Sequence, residues 1–257
     1  MSIPKIIHYC WFGPKEIPEM EQNCIASWRR VLPDYQIILW NEQNFDINSI
    51  SYVKEAYEQK KYAFVSDYVR MYALYNFGGI YFDTDVEVLK SLDGFLNDAA
   101  FIGFENRTMI GTGIIGAEKH APIFKKMLNY YNTHSFIDEN GNMDTTTNVQ
   151  IISQLLKEQG FEPHNMEQIL PEIHIYERYV FCPKKMDDGT FAVTEQSVTI
   201  HKFAGSWLTE REKRRGTNLI WRNIMRPILK VTRTITIKVF GEQKAKKLEA
   251  SLRKALR

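Results

Sequence analysis

The chain has 257 residues, 44% of them hydrophobic and 25% charged, a composition that excludes a disordered or fibrous protein and matches a globular one. Its three cysteines, Cys10, Cys24 and Cys182, form no CxxC pair, which argues against a disulfide framework or a structural zinc site and fits buried thiols in a reducing compartment. The net charge of +2 conceals an asymmetry: residues 211–257 hold fifteen Lys and Arg against three Glu, so the other 210 residues carry −10, a split that suggests an anionic partner for the basic segment.

Taken in order, Lys5–Tyr9 reads as a short buried strand, closed by Trp11-Phe12-Gly13-Pro14. Pro18–Val31 has helical spacing and is ended by Pro33. Tyr35–Trp40 is a second strand, so the chain opens as an α/β unit. Ser49–Gln59 and Tyr62–Phe77 are expected helices; the second carries an apolar stripe and is stopped by Gly78-Gly79. Ile80-Tyr81-Phe82 is a short buried strand that runs into Asp83-Thr84-Asp85. Further strands are expected at Phe101–Phe104, at Ile114–Gly116, in a region with Tyr176 and Val180, and at Ser197–His201. Pro122–Tyr131 and Val149–Gln159 are further helices. There is no internal repeat and no low-complexity linker. The expected organisation is one compact α/β domain over residues 1–210 and a basic, amphipathic, largely helical extension over residues 211–257. No run reaches the roughly 18 apolar residues of a membrane span, and the first residues lack the pattern of a leader peptide. The expected location is therefore the cytoplasm or the cytosolic face of a membrane.

The strongest chemical signal is FGGIYFDTDVEVL. Residues i and i+2 of a strand share a face, so Asp83 and Asp85 are expected to converge on one spot at a strand exit, where paired carboxylates suit a hard divalent cation. Such an ion neutralises a pyrophosphate and stabilises a departing nucleoside diphosphate. A bare DxD is also compatible with a solvated turn; the apolar strand and the Gly pair before it, with Val86 and Val88 after it, favour the functional reading.

Here the sequence resembles a known family. Ser66–Glu87, SDYVRMYALYNFGGIYFDTDVE, is similar to the DxD-containing sugar-transfer signature of glycosyltransferase family thirty-two. That family includes yeast mannosyltransferases and bacterial capsule and polysaccharide enzymes, and related blocks occur in the glucosylating domains of clostridial toxins. The opening IPKIIHYCWFG and the late HKFAGSW, His201–Trp207, resemble its first strand and its closing motif. The resemblance implies a GT-A fold, a Rossmann-like nucleotide-binding sheet flanked by helices. It also implies Mn²⁺ or Mg²⁺ dependence and retention of anomeric configuration. Carried over residue by residue, Asp85 binds the metal, and Asp83 binds it through water or contacts the ribose and sugar. Asp67 and Arg70 match the SDxxR segment, in which the Asp holds sugar hydroxyls and the Arg supports the donor phosphates; read alone, this pair is a surface i,i+3 salt bridge worth a few tenths of a kcal/mol. His8 and Trp11 match a segment whose aromatic stacks on the base, although a lone histidine there is more often a core residue, and Trp11 is the better candidate. His201 can offer a neutral imidazole to the metal or simply end its strand. Ser206 and Trp207 are expected to close over the diphosphate. Ile110–Ala117, IGTGIIGA, resembles a further family block but has Thr112-Gly113 where an Asn is frequent, which puts the donor preference in doubt. No covalent nucleophile stands out, and Glu105 is the one nearby acid worth watching.

The reading is thus a retaining, metal-dependent hexosyltransferase. It favours a UDP-sugar donor, with GDP-mannose second, and a glycan acceptor, lipid-linked for preference, in capsule, exopolysaccharide or other glycoconjugate synthesis. The basic tail, with Trp221 and aliphatic residues interleaved among Lys and Arg, suits an anionic membrane surface or packing on protein. Nucleic acid is not expected, because no stacking array accompanies the charge. The rivals are a degenerate sugar-nucleotide-binding module and a metal-dependent phosphohydrolase or nucleotidyltransferase.

Overall fold

A computed structural model describes residues 2–185, 189–205 and 236. The chain divides into two compact units, Met1–Ala204 and Gly205–Arg257; the first holds the sheet and its flanking helices. The expected helical extension over residues 211–257 lies, Thr236 aside, outside the described residues. No helix among the described residues is long and apolar enough to cross a membrane.

The chain runs β1 (Ile6–Cys10), α1 (Glu19–Val31), β2 (Gln36–Trp40), α2 (Ser51–Glu58), α3 (Tyr62–Phe77), β3 (Gly79–Phe82), β4 (Val86–Val88), a 3-10 turn (Asp93–Phe95), β5 (Ala100–Phe104), β6 (Ile110–Ala117), α4 (Pro122–Thr133), α5 (Asn148–Lys157), β7 (Gln168–Ile169), β8 (His174–Tyr176), α6 (Arg178–Phe181) and β9 (Thr199–His201). Seven strands form one sheet in the order β2-β1-β3-β6-β5-β8-β7. The pairs β1–β2, β1–β3 and β5–β8 are parallel, while β6 is antiparallel to both β3 and β5, and β7 to β8. All strands but β6 and β7 therefore point one way, and the carboxyl ends of β1 and β3 share an edge. Apolar residues of α2, α3, α4 and α5 pack into a core on one face of the sheet. On the other face, Ile25 and Trp28 of α1 and Phe181 of α6 share a second core with Ile7, Ile80, Phe82 and Ile114. This is the α/β arrangement anticipated from the sequence, a sheet flanked by helices on both faces.

Local chemistry explains the elements that matter for the site. Helix α1 carries Glu19 and Glu21 in its first turn and Arg29 and Arg30 in its last, each complementing the helix dipole. Helix α3 buries residues around most of its circumference, among them Val65, Tyr68, Val69, Met71 and Leu74, as a helix packed between sheet and neighbours must. It ends at Gly78, whose φ of +67° only glycine adopts cheaply. Gly79 has φ +106°, and a Cβ there would lie 2.5 Å from the Ile6 carbonyl oxygen. The Gly pair thus lets α3 turn back at once into β3, hard against β1.

Two elements differ from expectation. Val180 lies on α6, not on a strand; the strand of this region ends at Tyr176, and both residues pack against the same core cluster. Val86–Val88 forms a strand of its own, which pairs antiparallel with β9 in a two-stranded sheet, Val86 opposite His201 and Val88 opposite Thr199. It is anchored to α1 through Trp28 Nε1, which donates to the Val86 carbonyl at 2.6 Å, and Ser27 Oγ, which accepts from Val88 N–H at 2.9 Å.

Candidate active site

Asp83 follows directly on β3, and Thr84 and Asp85 form a turn closed by the Val86 N–H on the Asp83 carbonyl at 3.1 Å. The two carboxylates do converge, but the turn brings them together, not the alternation of a strand: β3 ends at Phe82 and β4 begins at Val86. The antiparallel pairing of β4 with β9 supplies the third member, because Val86 opposite His201 sets the imidazole beside Asp85. Ligand atoms of Asp83, Asp85 and His201 lie within 4.8 Å of one another.

Each carboxylate is held from a different side. Asp85 is buried; its Oδ1 lies 3.2 Å from His201 Nε2, its Oδ2 accepts the Ala204 N–H at 2.8 Å, and its carbonyl accepts the Lys202 N–H at 2.9 Å. Burial pushes the Asp85 carboxyl up, but the hydrogen bond and charge of His201 and the Ala204 amide outweigh it and leave the group below its usual range. His201 is raised: burial lowers it, and Asp85, with the charges of Asp83 and Glu105, more than compensates. The ring of Phe203 stacks on the imidazole at 4.1 Å. Asp83 is held by helix α3. Arg70 Nη2 donates to Asp83 Oδ1 at 2.9 Å and lies 3.4 Å from Asp67 Oδ1. Arg70 Nη1 donates to the Thr112 carbonyl, and the guanidinium lies 4.3 Å from the centre of the Tyr81 ring. Arg70 is only 5% exposed, so the Asp67–Arg70 pair is a buried element of the site and not the surface salt bridge its spacing alone suggests. Burial pushes the Asp67 carboxyl up to about 6, against the pull of Arg70.

A further residue has no counterpart in the sequence motifs. Asn148, 1% exposed, donates from Nδ2 to Asp67 Oδ1 at 3.0 Å and to the Asp67 carbonyl at 3.2 Å, while the Tyr131 hydroxyl donates to its Oδ1. Its local signal is the capping box of Thr147 and Gln150, which starts α5 and so fixes Asn148 at the first helical position.

The opening segment splits. Trp11 follows β1, donates its indole N–H to the Lys15 carbonyl at 2.7 Å and stays partly exposed, at the sheet edge that also carries Asp83. His8 does not join the site, which corrects the expectation for it. It is fully buried, its Nε2 is 2.8 Å from the Gly78 carbonyl, and its Nδ1 accepts the Trp40 indole N–H at 3.1 Å. Both ring nitrogens are committed, and burial lowers the ring to about 4 despite the Gly78 carbonyl; it is a neutral core histidine. Ser206 and Trp207 lie outside the described residues.

Two carboxylates and an imidazole are a donor set that suits a divalent cation such as Mn²⁺ or Mg²⁺. Gly113 keeps the gap between them clear: a Cβ there would lie 3.0 Å from Asp83 Oδ2 and 3.0 Å from His201 Cε1. The residues present therefore fit an ion. Beside them is a pocket lined by Gly103, Glu105, Gly111, Gly113, Phe181 and Cys182 as well as His201. Burial pushes the Cys182 thiol up to about 12, so it is no nucleophile at neutral pH. Burial also raises Glu105, opposed by His201 and Lys184 and reinforced by Asp83 and Asp85.

Residues 18–102 match the family described as the glycosyltransferase sugar-binding region containing a DXD motif. The chain is 30% identical over 131 residues to inositol phosphoceramide mannosyltransferase 3 of Schizosaccharomyces pombe, covering 49% of this chain and 36% of the relative. It is 30% identical over 138 residues to mannosyl phosphorylinositol ceramide synthase CSH1 of Saccharomyces cerevisiae, covering 49% of this chain and 34% of that protein. The chain spans about a third of the length of these curated relatives. Among solved structures, a glycosyltransferase involved in glycosylation of the major capsid of PBCV-1 aligns over 82% of this chain and 98% of its own, at 13% identity and a TM-score of 0.46.

Proposed function

Since residues 18–102 match the DXD-containing glycosyltransferase sugar-binding region, we propose that the chain is a glycosyltransferase of family thirty-two and that it transfers a hexose from a nucleotide sugar to a glycan or glycolipid acceptor. The observation that carries this reading is the convergence of Asp83, Asp85 and His201 at the carboxyl edge of the sheet, within 4.8 Å of one another. Ligands of open α/β sheets bind at that edge. The relatives named above transfer mannose to inositol phosphoceramide, by their names, and this moves GDP-mannose level with the UDP-hexoses as donor and favours a lipid-linked acceptor.

Asp83, Asp85 and His201 would hold Mn²⁺ or Mg²⁺, and such an ion supplies charge neutralisation to a departing nucleoside diphosphate. The chain's own residues do the rest. Arg70 fixes Asp83 from one side and the Ala204 amide fixes Asp85 from the other, so the two carboxylates are pre-set and need no reorganisation when the donor arrives. Asp67, itself steadied by Asn148, would accept sugar hydroxyls, as the family resemblance implies. Trp11 offers a partly exposed indole for the base. With Asp83 and Asp85 committed to this framework, retention proceeds by attack on the face the diphosphate leaves, its oxygen taking the acceptor proton; a glycosyl-enzyme adduct trapped in mass spectrometry would contradict that step.

The test is transfer itself. The protein is incubated with Mn²⁺, GDP-mannose or UDP-hexoses, and lipid-linked and free glycan acceptors, and products are read by mass. One hexose added to an acceptor supports the reading. Release of free hexose alone decides nothing, since water can enter a transferase site; cleavage of the donor to a nucleoside monophosphate and a sugar phosphate, with no transfer, supports the phosphohydrolase instead.

A further inference from the structure

We propose that Glu105 binds a hydroxyl of the sugar being transferred and so selects which hexose the site accepts; this rests on the reading of the site as a nucleotide-sugar site. The first ground is isolation. Among the described residues the Glu105 carboxylate accepts no hydrogen bond and lies in no ion pair, although it sits half-buried in a pocket. Its charged surroundings are His201, Asp83, Asp85 and Lys184, and none of these forms an ion pair with it. Its oxygens still meet water, and hydroxyl donors from a ligand can replace that water with charge-assisted bonds.

The second ground is the shape of the pocket. Three of its walls are glycine, and a side chain at any of them would crowd its neighbours. A Cβ at Gly103 would lie 2.7 Å from the ring of Phe181, one at Gly111 would lie 3.0 Å from Glu105 Cβ and 3.3 Å from its Oε2, and one at Gly113 would reach Asp83 and His201. The Glu105 side chain thus lies against a missing side chain at Gly111, on a floor stripped to backbone. β5 and β6 carry these residues in register, Gly103 opposite Gly111, and Gly113 hands the floor on to Asp83, whose N–H donates to its carbonyl at 2.8 Å. Gly113 and His201 both line the pocket, and Gly113 also lies against Asp83, so the pocket borders the DxD turn. The group attached to a diphosphate held at Asp83, Asp85 and His201 would lie over the pocket and present a hydroxyl to it; in a nucleotide sugar that group is the hexose, whereas an acceptor arrives from outside. A site built to bond a particular hydroxyl discriminates strongly against an analogue that lacks it, because the carboxylate is then left unpaired.

The experiment is calorimetry with Mn²⁺ on the wild type, Glu105→Gln and Glu105→Ala, using GDP and UDP alone and then GDP-mannose, UDP-glucose and UDP-galactose. The expected result is that the affinity for the diphosphate that binds changes less than about twofold in both variants, while that for the matching nucleotide sugar falls about tenfold, the scale of one charged hydrogen bond. The preference among hexoses should narrow with it. Equal losses for diphosphate and nucleotide sugar would make Glu105 an electrostatic support of the metal site and overturn the assignment. Unchanged donor binding with transfer impaired would put the hydroxyl on the acceptor and overturn it as well. Diphosphate binding by the variants also shows that they are folded. If the wild type itself bound no nucleotide, the reading of the whole site would fall and Glu105 with it.

Discussion

Strands β1 and β3 lie side by side, with His8 in register against Tyr81, and both lead toward the same edge. On β1, the buried imidazole has both nitrogens matched, one by the Gly78 carbonyl and one by the Trp40 indole. Beyond β3, the carboxylates of Asp67, Asp83 and Asp85 gather around one guanidinium and one imidazole, Arg70 and His201, with Glu105 nearby and unpaired among the described residues. The first arrangement is complete and inert. The second carries more negative charge than it neutralises, and the proposed function assigns a cation to it. Burial of a polar residue therefore says little about function; what remains unsatisfied around it says more.

That contrast can be attacked from either side. The largest effect is expected at Arg70. Arg70→Met removes the one buried cation that faces Asp67 and Asp83 among the described residues and should cost about 3–5 kcal/mol in denaturant unfolding, nearer the lower figure because both carboxylates are partly exposed. Adding Asp83→Asn should restore part of that loss. If the single change were silent, the charges would not be coupled as described.

On the β1 side the expected signature is a pH dependence. The folded-state pKa of His8 is about 4 against an ordinary 6.5. Its contribution is therefore fully present above pH 6.5 and is lost as pH falls toward 4, by about 3 kcal/mol at one pKa unit per 1.36 kcal/mol. The stability advantage of the wild type over His8→Asn should shrink by that amount between pH 7 and pH 4. A constant difference would mean that His8 titrates normally and is not sealed in the core.

A smaller change probes the β3 side. Gly113→Ala sets a methyl group 3.0 Å from Asp83 Oδ2 and His201 Cε1. The neighbours must yield by a few tenths of an ångström, and Mn²⁺ affinity in calorimetry should fall about tenfold, with little change in thermal stability. Unchanged affinity would place the ion elsewhere.

Much of this is legible in the sequence because it is local. An apolar helix with an SDxxR segment, a Gly pair and an apolar strand ending in DTD occupy one continuous stretch, and α3 spans Tyr62–Phe77 as its stripe predicts. The family resemblance adds His201, which on periodicity alone is only a strand end. What escapes a reading of the sequence depends on contacts distant along the chain. β4 and β9 are three residues each, too short to show a period, and their pairing joins segments more than a hundred residues apart. Asn148 reaches Asp67 across 81 positions. Strand alternation predicts the convergence of Asp83 and Asp85 for the wrong reason, since a tight turn gives the same outcome in a DxD. The glycine-floored pocket reads in sequence only as IGTGIIGA, where the absent side chains carry no pattern of their own.

The proposed function requires that Asp83, Asp85 and His201 form a metal-dependent site for a nucleotide sugar. The most direct test is calorimetric titration of GDP, UDP and their sugars into the wild type and Asp85→Ala, each with and without Mn²⁺. One nucleotide family should bind the wild type only when Mn²⁺ is present. Asp85→Ala should lose this binding by about 10²–10³-fold, the scale of removing a pre-set electrostatic contact. Binding indifferent to Mn²⁺, or retained in Asp85→Ala, would contradict the assignment.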